Sequence, residues 1–134
     1  MVQQQVLIED PTEIADILRR LPSAFYLTLS ALIAWRGIST KTLADSSLID
    51  ERSIRRLKSK YCEPTLETVI ALCIGLRLPP ALYNDLIRKA GYSFKSTETH
   101  VAYENLLPLV YYEGLSIEAF NEALETQGIA RLDD

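Results

Sequence analysis

The stretch Gly37-Ile-Ser-Thr-Lys-Thr-Leu-Ala-Asp-Ser-Ser-Leu-Ile-Asp-Glu-Arg-Ser-Ile-Arg-Arg-Leu-Lys58 decides how this chain is read. Ser39 or Thr40 can cap a short helix running to about Ser46, with Leu43 and Ala44 pointing inward. A small residue at Ala44 lets the next helix cross closely. Residues 47–50 read as a turn, and Asp50 caps a second helix running to about Lys58. Ile54 and Leu57, at i and i+3, bury one stripe of that helix. Glu51, Arg52, Arg55 and Arg56 are left together on its outer face.

Working outward, the punctuation is helical on both sides. Asp10-Pro11 supplies an N-cap and a proline first turn for a helix to about Leu21, stopped by Pro22. Ser23 is placed to cap a helix from Ala24 to Trp35, closed by Gly37. After the central pair, Thr65 caps a helix reaching about Arg77, and Pro79-Pro80 opens another that ends at Gly91. A helix from about Thr97 to Tyr112 contains Pro108, a candidate kink. The last helix runs from Ile117 to Gln127, capped by Ser116 and closed by Gly128. Val6-Leu7-Ile8 is the only weak strand candidate. The expected fold class is all-α: a central helix-turn-helix bundle with an extra N-terminal helix and a C-terminal helical extension. The expected division is an arm and helix at 1–22, a central domain at 23–95 and an acidic helical extension at 96–134.

Residues 24–35 carry no charge, and Val69 to Leu76 is apolar apart from Gly75. A helix without a polar face needs cover on more than one side. The outer helices, or a partner chain, must supply it. Val101, Leu106, Leu107, Val110, Tyr111, Ile117, Phe120 and Leu124 give the extension an apolar stripe at helical spacing. That stripe is expected to hold two copies together; the competing account has it cap residues 69–76 within one chain.

The 134 residues fit one domain, and 48% hydrophobic with 24% charged residues is an ordinary globular mixture. The start, Met-Val-Gln-Gln-Gln, lacks the basic and apolar pattern of a signal peptide, and no run approaches the roughly 20 apolar residues of a membrane span. Cys62 and Cys73 lack C-x-x-C spacing, so neither a zinc site nor a disulfide framework is supported. A reducing, cytoplasmic setting is expected, with no metal and no cofactor. His100 is the only histidine, so no catalytic triad forms within one chain. Tyr103, Tyr111 and Tyr112 read as core or interface rather than a base-stacking platform. No enzyme is expected.

The net charge is -4, but it is unevenly placed. Residues 31–60 hold Arg36, Lys41, Arg52, Arg55, Arg56, Lys58 and Lys60 against Asp45, Asp50 and Glu51, a net +4. Residues 96–134 hold Arg131 against eight carboxylates, a net -7. Salt screens charge beyond about 10 Å, so the local patch outweighs the total. Two short helices joined by a tight turn, the second basic outside, is the physical description of a helix-turn-helix.

Residues 29–78 resemble the Cro/repressor-type (Xre-like) helix-turn-helix DNA-binding family. The resemblance runs through Gly37-Ile38-Ser39, Leu43-Ala44, Ile49, Ile54, Arg56-Leu57 and Pro64-Thr65-Leu66-Glu67-Thr68, and less specifically through Leu78-Pro79-Pro80 and Ala90-Gly91-Tyr92. It implies a dimeric transcriptional regulator, usually a repressor, whose second motif helix enters the major groove of double-stranded DNA. On that resemblance Glu51, Arg52 and Arg55 stand at base edges. Ser39, Thr40, Lys41, Arg56, Lys58, Lys60 and Tyr61 stand at phosphates. The chain departs from the family where Thr40 replaces a common glutamine, Leu48 a turn glycine, and Lys60 a glycine or asparagine. The rival reading is a helical interaction adaptor or inhibitor, antitoxin-like or nucleic-acid-mimicking, that keeps a repressor-like core and grips a protein partner through its acidic C-terminal helices. The two separate on whether Arg52, Arg55, Lys58 and Lys60 are free or covered by the acidic extension.

Overall fold

Six polar side chains set where helices begin in the computed structural model, which describes residues 7–60 and 62–133. Asp10, Ser39, Asp50, Thr65, Thr97 and Ser116 each accept a hydrogen bond from a backbone N–H in the first turn that follows. The described residues form eight helices and no strand: α1 (Pro11–Arg20), α2 (Phe25–Arg36), α3 (Thr40–Ser47), α4 (Glu51–Ser59), α5 (Leu66–Gly75), α6 (Pro80–Lys89), α7 (Glu98–Glu113) and α8 (Ile117–Thr126). The fold is all-α. Leu7 and Ile8 are not in a strand, and Val6 lies outside the described residues.

Two boundaries differ from expectation. Ser23 does not cap α2; the N-cap is Ala24, with no side-chain bond, because the chain already bends at Ser23. The first turn of α2 is held from within instead, where buried Thr28 donates to the Pro22 carbonyl at 2.8 Å. Nor does α5 reach Arg77. It ends at Gly75, and the Arg77 and Leu78 N–H groups turn back to the Ile74 and Cys73 carbonyls. That closure puts Arg77 at φ +48°, a position glycine usually takes. The helix α7 runs unbroken through Pro108.

The centre of the molecule is α5. Seven of its residues, from Leu66 through Ile74, are buried, and it packs against α3, α6, α7 and α8. Val101 is exposed, but Leu106, Leu107, Val110, Tyr111, Ile117, Phe120 and Leu124 are all buried within the one chain. The C-terminal stripe is therefore spent on the chain's own core, and the argument that it must join two copies falls away. Burying it here covers the apolar helix that had no polar face. A second close helix crossing brings α3 against α5. It lies at Gly75, where a Cβ would stand 2.8 Å from Leu43 Cδ1 and 2.9 Å from Ser47 Cβ.

A polar node ties the arm to the far helices. Arg36, at the end of α2, donates from Nε to the Leu76 carbonyl at 2.7 Å and from Nη1 to Glu9 Oε2 at 2.8 Å. It also reaches the Arg77 carbonyl. Tyr111 donates to Glu9 Oε1 at 2.9 Å, and its hydroxyl accepts from the Glu9 N–H at 2.7 Å. Arg77 lies over the Tyr111 ring and donates to the Tyr111 carbonyl at 3.0 Å. Burial alone would raise the Glu9 carboxyl, but hydrogen bonds from Arg36 and Tyr111, with the charges of Arg36 and Arg77, hold it below the ordinary carboxylate range. Arg36 is thus half-buried and paired. It does not belong to the surface patch into which the sequence count placed it.

Candidate nucleic-acid interface

The arrangement of α4 follows from its two buried residues. Ile54 is fully buried and Leu57 nearly so, in a helix that packs against α2 and α3. Asp50 fixes the first turn by accepting from the Ser53 N–H at 2.8 Å and the Ser53 hydroxyl at 2.9 Å. These bonds, and to a lesser extent the Arg52 charge, hold the Asp50 carboxyl low. The last turn is fixed from α2, where Ser30 donates to the Lys58 carbonyl at 2.9 Å.

With that stripe inward, Glu51, Arg52, Arg55 and Arg56 are exposed, as expected, and Lys60 follows them at the surface. Lys58 is half-buried. Arg55 and Glu51 form a surface pair at 3.6 Å, worth only a few tenths of a kcal/mol in such a setting. Both groups therefore remain available to another ligand. Lys41 is exposed one residue into α3, while Thr40 is half-buried. The Ser39 hydroxyl is already engaged: it accepts from the Thr42 N–H at 3.1 Å and donates to the Thr42 hydroxyl at 3.0 Å. Tyr61 lies outside the described residues.

Three residues connect α3 to α4, and the first of them, Leu48, adopts φ +59°. A left-handed leucine costs roughly 1–2 kcal/mol, so the turn has the backbone geometry that glycine favours even though the chain supplies leucine. Ser47 supports it from below: its buried hydroxyl donates to the Leu43 carbonyl at 2.6 Å and accepts from the Ile49 N–H at 3.3 Å.

Arg131 pairs with Glu125 at 3.0 Å and with Asp133 at 3.1 Å. Among the described residues, no carboxylate of 96–133 forms an ion pair with Arg52, Arg55, Arg56, Lys58 or Lys60. His100, half-exposed, accepts from the Lys95 N–H at 2.8 Å and stacks on Tyr103. Tyr103 and Tyr111 are buried, and Tyr112 is exposed. No helix is long and apolar enough to cross a membrane among the described residues.

Sequence reasoning missed the Glu9–Arg36–Tyr111–Arg77 node, whose members are scattered from the arm to α7 with no periodic spacing. It also missed Asn121. This residue is fully buried, accepts from the Leu132 N–H at 2.8 Å, and leaves its Nδ2 without a partner. An asparagine among apolar α8 residues is the one signal that could have marked it. Comparison with family models, with curated proteins and with solved structures returns no match for this chain.

Proposed function

We propose that the chain is a sequence-specific regulator that binds double-stranded DNA, acts as a repressor, and reads the major groove with the helix at about 50–58. The observation that carries this reading is the outer face of α4 with Lys60 beyond it, whose cations have no ion-pair partner among the described residues of the acidic extension. Arg52 and Arg55 take the base edges, where an arginine bonded to guanine O6 and N7 discriminates by about 1–3 kcal/mol. Glu51 can accept from cytosine N4. Lys41, Arg56, Lys58 and Lys60 hold phosphates, which positions the helix without specifying sequence. A single recognition helix reads few base pairs, so the protein works as two copies on half-sites about 34 Å apart.

The rival reading, an interaction adaptor gripping a basic protein, draws on the exposed carboxylates of Glu98, Glu104, Glu113, Glu118, Glu122 and Glu125. The experiment that tests the regulator compares alanine variants on a selected site and on scrambled DNA. Arg52→Ala or Arg55→Ala should narrow the difference between the two DNAs. Lys58→Ala or Lys60→Ala should weaken both alike. Uniform losses for the arginines would reduce α4 to a charged surface and remove the base-reading roles.

A further inference from the structure

A cleft of about 410 Å³ opens between the α3–α4 turn, the start of α5, and the contact of α8 with the C-terminal segment. Asn121 forms part of its wall. The Leu132 N–H fixes which end of that amide is the acceptor, so Nδ2 is a donor. It is buried and has no acceptor among the described residues. Such groups are rare in folded chains and call for a specific explanation. Arg56 lines the same cleft, and among the described residues no carboxylate forms an ion pair with its guanidinium. The acidic residues of the cleft do not compete for it. Asp50 is engaged by Ser53, Asp133 by Arg131, and Glu63 is engaged as well. Ile117 and Leu132 supply apolar wall between the polar groups.

We infer that this cleft binds a small amphiphilic monocarboxylate, its carboxylate held by Asn121 Nδ2 and Arg56 and its apolar body on Ile117 and Leu132. A carboxylate offers two acceptor oxygens to such donors, and a guanidinium strengthens the pairing through charge. The cleft volume suits a ligand of modest size. The site joins the outer face of α4 to the C-terminal extension, which gives the extension a role that does not require it to touch DNA. A consequence rests on the regulator reading: Arg56 cannot hold a carboxylate and a phosphate together, so the ligand weakens DNA binding without altering sequence preference.

The test uses the full chain, labelled with 15N, titrated with sodium benzoate at constant ionic strength, in parallel with benzamide as the uncharged isostere. The expected result is a saturable shift of the Asn121 side-chain amide and the Arg56 Nε–H below about 10 mM benzoate. Benzamide should bind about tenfold more weakly, and Arg56→Gln should lower benzoate affinity about tenfold. Arg56 is exposed, so that variant tests the site without disturbing the core. No saturable shift at Asn121 would overturn the inference and leave the amide to a bound water. Equal binding of benzamide and benzoate, or unchanged benzoate binding by Arg56→Gln, would overturn it too. Benzoate binding by a chain with no DNA affinity would support this site and remove only the regulator reading.

Discussion

Replacing Arg36 with methionine tests the node that holds the N-terminal arm to α7. The Arg36 and Glu9 side chains are only 16% and 13% exposed, so the half-buried pair is largely shielded from water. Removing one partner of such a pair leaves an uncompensated charge, which costs about 3–5 kcal/mol. The residual exposure places this case at the lower end, about 3 kcal/mol. For a chain of this length that lowers the melting temperature by about 10–15 °C. Urea unfolding of Arg36→Met, extrapolated to water, measures it directly. The double variant Glu9→Gln/Arg36→Met should regain part of the loss, because the carboxylate that Arg36 paired is gone, although Arg77 then loses the Glu9 charge. What it does not regain belongs also to the Leu76 and Arg77 carbonyls, which lose their donor. A single variant within about 1 kcal/mol of the parent, or a double variant no better than the single, would refute this account of the node.

Acid should expose the same contact. A carboxyl held below its ordinary 4.5 when folded adds stability that is complete above that value and is lost as pH falls through the folded value. Stability should therefore drop on acidification below about pH 4.5 more steeply in the parent than in Arg36→Met, and equal slopes would count against it. Gly75→Ala should destabilise by about 1–2 kcal/mol, since the overpacking against Leu43 and Ser47 exceeds what alanine gains in helix propensity. A variant as stable as the parent would show that α3 can retreat from α5.

What the sequence disclosed was local. Asp50 and Ser53, or Thr65 and Thr68, meet within a single turn, so helix starts could be read from spacing alone. The buried stripe of α4 was legible for the same reason, and the exposed arginines followed from it. Partners distant along the chain were not legible. Arg36 looked like one more surface cation because nothing near it in sequence announces Glu9, and only the packed fold brings them to 2.8 Å. The stripe on α7 and α8 was recognisable as buried, but periodicity gives a face and not the identity of what covers it. Ser23 misled because a residue suited to capping does not cap unless the chain turns there, and α2 starts two residues later.

The measurement closest to the central claim is a salt titration of binding to DNA selected by this chain from a random duplex pool. If Lys41, Arg56, Lys58 and Lys60 each neutralise one phosphate, log affinity should fall against log salt with a slope of roughly -3 to -4 per copy. Binding should also prefer the selected sequence over scrambled DNA at every salt concentration. A chain that enriches no sequence and binds no duplex even at low salt would contradict the account.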